Sequence, residues 1–580
     1  MVSDSFNYST KGPIYTSSLD PEPEAINIES VLYDESQMYI TWLESPDSDF
    51  LKYEIYFGEN DTINVSLLDS IFDKSLTTFS INEFDPHLKN YFRIIVYDTL
   101  NQNTKGDFNL NETQPTPEPV ILDSISSFGN ELTINWSAYS SNLDFQRYNL
   151  YRAFDANMNN KEILFSTTDR LDTNYFSDGN DYGLTYYFIV SVVDLWGYEV
   201  FSNVNFIIPQ YFTFLNNYSV ESESISGYYG IQNATEQYKI IGKSSSDIYF
   251  THLDRYGENI AFQPLNYNES ETPIKLLQGQ SENTYLFASN VINGFEDTDI
   301  KITKTDQNGS IVWESIIGYD IDGENTNYGY DISNDIILSN DGGYIITGQY
   351  HAMHPDILIV KIDDQGSIQN KHIISTAPSS QRVVESGKSI LSIDNGYIIL
   401  ASLSQSSANG PSDIWLSEYI ESTLNAGDTA WTQTWDINTF DIPERLIKKT
   451  DGSYALSGYS LNSGGEIESS WIINSDISGN ELSTIIISGD NYVYDLIENG
   501  NGDYIIAGKK FNVNDYQGWI ACIDIQGNIV WEKTYGEGDN ALFRSIKQTS
   551  DGGFIITGEA QTDGISSILH VKTDPDGNIY

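Results

Sequence analysis

The chain has 580 residues, 83 acidic against 29 basic, and its formal charge of -54 would repel phosphate backbones and anionic lipid rather than gather counterions from them. Nucleic acid and membrane insertion are therefore not expected, and no apolar run approaches the roughly 18 residues that cross a bilayer. The length exceeds one hydrophobic core, and 40 Tyr, 26 Phe and 10 Trp set among short Ile-, Val- and Thr-rich runs read as all-β.

The acidic residues are scattered rather than gathered in tails, which reads as a solubility device. The single cysteine, Cys522, excludes an internal disulfide framework and any multi-thiolate zinc site. It lies in the apolar run Trp519-Ile520-Ala521-Cys522-Ile523, which makes it buried filler rather than a nucleophile.

After an N-terminal extension, residues 1–19, that opens on no signal peptide, two similar segments follow, 20–114 and 115–209. They meet at Pro115-Thr116-Pro117-Glu118-Pro119, a sequence that favours extended backbone and reads as a short stiff linker. The first segment predicts strands at 38–42, 53–57 and 91–98, and the second at 132–136, 148–152 and 187–194. An early Trp (Trp42, Trp136), a Tyr-x-x-Tyr strand (Tyr53, Tyr148) and a late Tyr-led strand ending in Asp (Asp98, Asp194) resemble the fibronectin type III family. That resemblance implies a seven-strand sandwich with a buried tyrosine near one corner, which Tyr186 supplies in the second segment. Asn90 stands in its place in the first. Neither segment carries an Arg-Gly-Asp tripeptide, so a spacer or scaffold role is expected.

From residue 210 to 580 one pattern recurs: an aromatic followed four residues later by a small residue. The pairs are Tyr238 and Gly242, Tyr285 and Ser289, Tyr344 and Gly348, Tyr397 and Ala401, Tyr454 and Gly458, Tyr504 and Gly508, Phe554 and Gly558. A second anchor, an Asp three residues before a Gly, closes most copies, as at Asp363 and Gly366. The third copy predicts strands at 330–338, 344–350 and 356–362 and a fourth beginning at Ser367, with turns at Asn340-Asp341-Gly342-Gly343 and Asp364-Gln365-Gly366. Runs such as Ile357-Leu358-Ile359-Val360 are apolar on both faces, and stacking four-stranded sheets around an axis would cover both. The small residue is expected to let the neighbouring blade approach. The fourth copy departs most, with Ile420 in place of the closing Asp and a longer loop before Trp431.

The run Asp551-Gly552-Gly553-Phe554-Ile555-Ile556-Thr557-Gly558, with Asp524-Ile525-Gln526-Gly527-Asn528-Ile529-Val530-Trp531, resembles a propeller repeat common in bacterial surface and secreted proteins, of quinoprotein-like or WD-repeat-like architecture. The resemblance implies a seven-bladed β-propeller and a secreted or cell-surface location. The last copy stops where its outer strand should continue, and residues 211–215 have no partner in their own repeat, so they are expected to complete that sheet.

Catalytic signatures are not found. Trp313 and Trp531 end Gly-x-x-x-Trp turns similar to the tryptophan-docking repeats of quinoprotein dehydrogenases, but the adjacent-cysteine pair many of those carry is absent. Ser339-Asn340-Asp341-Gly342-Gly343 lacks the tryptophan of a sialidase box, with Ile346 at that position. His351, His354 and Asp356 have no familiar metal-ligand spacing and read as a solvated loop. Asp320-Ile321-Asp322-Gly323-Glu324-Asn325 offers oxygens suited to calcium but reads as a turn. No catalytic or cofactor-binding residue is assigned, metal ligands are left open, and no cofactor is expected beyond calcium.

The fold class expected is all-β, two fibronectin type III-like sandwiches plus a seven-bladed β-propeller. The function expected is non-catalytic binding or adhesion, with a protein or glycan ligand on the propeller loops. The alternatives are a carbohydrate-active hydrolase or lyase with its site in the funnel and a structural surface-layer or filament subunit.

Overall fold

The computed structural model describes the chain except residues 1, 4–8, 11–19, 34–36, 112–115, 141–143, 220–222, 246, 266–269, 282, 293–297, 319–329, 352–354, 377–382, 395, 406–410, 421–428 and 537–539. The described residues form strands and turns with no helix, so the chain is all-β. It divides into two compact units, Met1–Gln210 and Tyr211–Tyr580.

The first unit repeats one arrangement. Strands Ile28–Tyr33, Met38–Trp42 and Thr78–Ile81 form a three-stranded sheet, and Phe50–Glu59 and Asn90–Asp98 are the centre of a five-stranded one. In the next copy, Ser126–Phe128, Glu131–Asn135 and Asn174–Ser177 pair, and Phe145–Ala153 and Tyr186–Asp194 lie at the centre of five. Alternation places Met38, Ile40 and Trp42 in one core and Leu132, Ile134 and Trp136 in the other. Each tryptophan meets a tyrosine edge-on, Trp42 with Tyr53 at 5.6 Å and Trp136 with Tyr148 at 5.9 Å.

Tyr186 makes the expected corner, its hydroxyl accepting from the Asp181 amide at 2.9 Å. Asn90 makes the same five-residue span with a shorter side chain, its amide donating to the Asp85 carbonyl at 2.8 Å. The corner is thus kept with the hydrogen-bond direction reversed. Between the two copies, His87 Nε2 lies 2.8 Å from Asp194 Oδ2, and the Tyr198 hydroxyl donates to Asp85 at 2.9 Å.

The second unit is a succession of four-stranded antiparallel sheets. Their first strands are Ser226–Gln232, Ser270–Gln278, Ile332–Leu338, Val383–Ile393, Phe440–Lys448, Asn491–Glu498 and Ala541–Gln548. Each first strand packs beside the next, and the last packs beside the first, so the arrangement is propeller-like. The fourth and fifth sheets are also joined by one parallel pair, Ser412 opposite Phe440. In the third sheet the strands are Ile332–Leu338, Tyr344–His351, Pro355–Ile362 and Ile368–Ile374, within two residues of the sequence expectation at each start.

The Asp-x-x-Gly anchor has a local cause. Asp363 Oδ1 accepts from the amides of Gln365 at 2.9 Å and Ser367 at 2.8 Å, and Gly366 takes φ +83°. The glycine also receives an aromatic from the preceding sheet: a Cβ at Gly366 would come within 2.7 Å of Trp313, and one at Gly577 within 2.8 Å of Trp531. Trp431 covers Gly479 in the same way, so three tryptophans dock rather than the two counted from the sequence turn. The loop before Trp431 lies largely outside the described residues.

The ring closes through a strand from the start of the unit. Phe214–Tyr218 pairs antiparallel with Ile565–Thr573, Phe214 opposite Lys572 and Tyr218 opposite Ile568. Pairing begins three residues later than the start of the expected run, 211–215, because Tyr211 to Thr213 lead into the sheet rather than along it. Phe214 is buried against Tyr238 and His570, with ring centroids at 5.5 and 5.7 Å.

Candidate functional site

The small residue of the sequence repeat marks the site, for a reason beyond the expected one. Each of the seven first strands carries a β-bulge, and the residue just before it pairs with that small residue: Gly227 with Gly242, Pro273 with Ser289, Ser333 with Gly348, Gly387 with Ala401, Pro443 with Gly458, Val493 with Gly508, Phe543 with Gly558. A Cβ at Gly348, Gly458, Gly508 or Gly558 would overlap a carbonyl of that same first strand. The neighbouring sheet does come close at two of them, since a Cβ at Gly227 would lie 2.4 Å from the Gly558 carbonyl and one at Gly387 3.2 Å from that of Gly348, but the tightest contact of all four is with their own first strand. They make room for a bulge within their own sheet. At Gly242 a Cβ would meet Ile568 of the adjoining sheet at 2.7 Å and the Ser226 carbonyl of its own first strand at 3.0 Å.

A bulge re-aims one side chain off the regular alternation. Seven bulged residues, Tyr228, Ile274, Asn334, Lys388, Glu444, Tyr494 and Arg544, are all half-buried and line one cavity of about 300 Å³. The residues that follow them form a second ring of Tyr229, Lys275, Asp335, Ser389, Arg445, Asp495 and Ser545.

The second ring is an ion network. Lys275 Nζ lies 2.7 Å from Asp335 Oδ1, and Arg445 bridges Asp335 at 3.7 Å and Asp495 at 3.1 Å. Lys547 adds a contact to Asp495 at 3.6 Å, and Asp335 Oδ2 also accepts from the Ser389 hydroxyl at 2.9 Å. Burial alone would raise the Asp335 pKa, but Lys275 and Arg445 outweigh it and hold that carboxyl below its usual range. Arg445, penalised by burial, is nonetheless held more firmly protonated by Asp495, Tyr229 and Asp335.

The bulge ring is less compensated. Glu444 is pushed up to about 7 by desolvation, against the pull of Lys388 and Arg544. Tyr494 is raised by burial and then by Glu444. Lys275, Lys388, Arg445, Arg544 and Lys547 thus face Asp335, Asp495 and a Glu444 that is half-protonated near neutrality. In a chain with 83 acids and 29 bases, the lining of this cavity therefore carries more basic than acidic side chains, Arg544 being paired with Glu559 at 3.3 Å.

Lys388 also borders a second cavity of about 620 Å³ among the third, fourth and fifth sheets. Ser386, Ser402, Ser404, Ser412 and Ser463 line it together with Phe440. Hydroxyls beside an aromatic face suit a polar ligand with apolar ring faces.

The residues singled out from sequence lie elsewhere. Cys522 is buried and its thiol is pushed up to about 11 by desolvation, as expected of inert filler. Native protein should leave Cys522 unmodified by a disulfide reagent at pH 8, with one thiol released on denaturation; prompt native reaction would show that the strand opens. His570 is buried and lowered to about 3 by desolvation, and His252 is lowered to about 4 by burial and Lys239, so neither is charged at neutral pH. His354, the His351 side chain and Asp320 to Asn325 lie outside the described residues. Only Asp356 of the histidine group is described, in the strand Pro355–Ile362.

No protein-family model matches the chain, and no curated protein matches it. Among solved structures, a catalytically inactive virginiamycin B lyase from Staphylococcus aureus with quinupristin is similar at 13% identity, covering 62% of this chain and 100% of that one, with TM-score 0.39. A Lactobacillus plantarum protein is similar at 10% identity, 67% and 96% coverage and TM-score 0.35. The sixth fibronectin type III domain of a human fibronectin type III domain containing protein matches 17% of this chain and 92% of that one, at 19% identity and TM-score 0.16. Scores of this size carry no argument about activity.

Proposed function

We propose that this is a non-catalytic extracellular or cell-surface recognition protein, with fibronectin type III-like sandwiches at 20–114 and 115–209 and a seven-bladed β-propeller at 210–580 that binds an acidic glycan. The observation that carries the reading is the cationic bulge ring in an otherwise strongly acidic chain. A carboxylate or sulfate of the ligand would meet Lys388 and Arg544, and its neutral sugar would occupy the adjoining serine-lined cavity. Strong overall negative charge disfavours acidic ligands elsewhere on the surface and so confines them to this ring.

A panel of acidic and neutral oligosaccharides tests this. Acidic members should bind, and Lys388→Ala with Arg544→Ala should weaken them by at least roughly tenfold, since a hydrogen bond to a charged group contributes about 1.5 to 3 kcal/mol. Equal binding of neutral members, or no effect of the double substitution, would reject the ring as the site. Affinity for a sulfated sugar should rise as pH falls from 8 to 6, because Glu444 loses its charge near 7 while sulfate keeps its own. Glu444→Gln should flatten that profile.

A lyase acting on an acidic polysaccharide is the second reading, favoured by Glu444, whose pKa near 7 suits a general acid or base. Unsaturated product from a polyuronate, lost in Glu444→Gln, would establish it over simple binding.

A further inference from the structure

In the first unit, the corner that follows the strand Asn90–Asp98 gathers three carboxylates. One oxygen each of Asp20, Asp49 and Asp98 lies within 4.8 Å of the others. Asp98 is 1% exposed. Its Oδ1 accepts from the Gln102 amide at 2.8 Å, while its Oδ2 is buried and has no hydrogen-bond partner. The Gln102 side-chain amide reaches Asp20 only at 3.4 Å. A buried carboxylate oxygen without a partner, on a residue grouped with two more carboxylates and ion-paired to no cation among the described residues, is costly unless something positive completes the group.

The second copy of the same sandwich shows what completion looks like. Asp194 occupies the position of Asp98: the Thr99 amide donates to the Asp49 carbonyl as the Leu195 amide donates to that of Asp144, both at 2.9 Å. Asp194 Oδ1 accepts from Tyr198 N at 2.9 Å, as Asp98 Oδ1 does from Gln102 N. There the second oxygen is engaged, by His87 at 2.8 Å, and Asp144 accepts from the Tyr139 hydroxyl at 3.3 Å. In the first copy the matching oxygen has no hydrogen-bond partner.

We propose that Asp20, Asp49 and Asp98 form a calcium site that fastens the start of the first sandwich, at Asp20, to its corner. The donors are all hard oxygens, which excludes the nitrogen and sulfur preference of zinc. Oxygens within 4.8 Å of one another can share one ion at calcium–oxygen distances of about 2.3 to 2.6 Å, and the flexible coordination of calcium tolerates an irregular carboxylate set that the near-ideal octahedron of magnesium does not. Water would fill the remaining positions.

The test uses the full chain, stripped with chelator and titrated with calcium by calorimetry, with magnesium as comparator. Asp20→Asn removes an exposed ligand without disturbing the core, and Asp98→Asn removes the buried one. Wild type should bind one more calcium equivalent than either variant, and magnesium should not fill that equivalent. Wild type alone should also gain thermal stability at the first unit's transition. Equal stoichiometry in wild type and Asp20→Asn, with both folded by circular dichroism, would overturn the site. So would retention of the equivalent by Asp98→Asn, or occupation of the corner by a second copy of the chain, seen as calcium-independent dimer lost in Asp20→Asn.

Discussion

Replacing Phe214 with Ala is expected to destabilise the second unit by about 3 to 5 kcal/mol, the usual cost of truncating a buried phenylalanine, whereas Leu215→Ala should stay within about 0.5 kcal/mol. The contrast follows from alternation along the closing strand. Phe214 is 7% exposed and packs on Tyr238 and His570, while Leu215 is 38% exposed. The strand Phe214–Tyr218 is the fourth strand of a sheet whose other members are Ala541–Gln548, Phe554–Thr562 and Ile565–Thr573. Without it Ile565–Thr573 becomes a bare edge, and an exposed edge invites pairing between chains. A truncation beginning at Asn217 should therefore melt lower than one beginning at Pro209 and aggregate on unfolding. Equal melting of the two, or equal cost for Phe214→Ala and Leu215→Ala, would show that the strand does not clasp the ring.

That clasp was legible in the sequence because it leaves two complementary defects, a last repeat lacking an outer strand and an apolar run lacking a repeat. Strands were legible for the same kind of reason: Ile357 to Val360 must be covered on both faces, and they are all buried. The site was not. Tyr228, Ile274, Asn334, Lys388, Glu444, Tyr494 and Arg544 share no chemistry, and what unites them is a bulge that only pairing reveals. The trace it leaves in sequence is the small residue opposite. Its recurrence was visible, but a contact within one sheet and a contact between sheets demand the same side-chain size, so the sequence does not tell them apart. Asn90 hid its role in a similar way, since it makes by donation the bond that Tyr186 makes by acceptance.

Arg445→Met should be the most damaging substitution in the cation ring itself, at about 3 to 5 kcal/mol near neutral pH, because it leaves buried carboxylates short of a partner. Arg445 is the group that reaches both Asp495, on the adjacent first strand Asn491–Glu498, and Asp335, on the non-adjacent Ile332–Leu338. Lys275 remains for Asp335 and Lys547 for Asp495, so the network is weakened rather than erased. The sign of the pH dependence is fixed by Asp335. Its pKa is depressed in the folded protein, so its pairing contributes stability above the unfolded pKa near 3.9, and that contribution is lost as pH falls through the folded value. The wild type therefore gives up more stability on acidification than the variant does, and the gap between them should narrow toward pH 3. A companion Asp495→Asn substitution in the Arg445→Met background should recover part of the loss at neutral pH by removing one uncompensated charge. Denaturant unfolding of the three proteins at pH 7 and pH 3 reads out each effect. A gap under about 1 kcal/mol, unchanged with pH and not narrowed by Asp495→Asn, would mean that solvent in the cavity screens these charges and that the ring is held by packing alone.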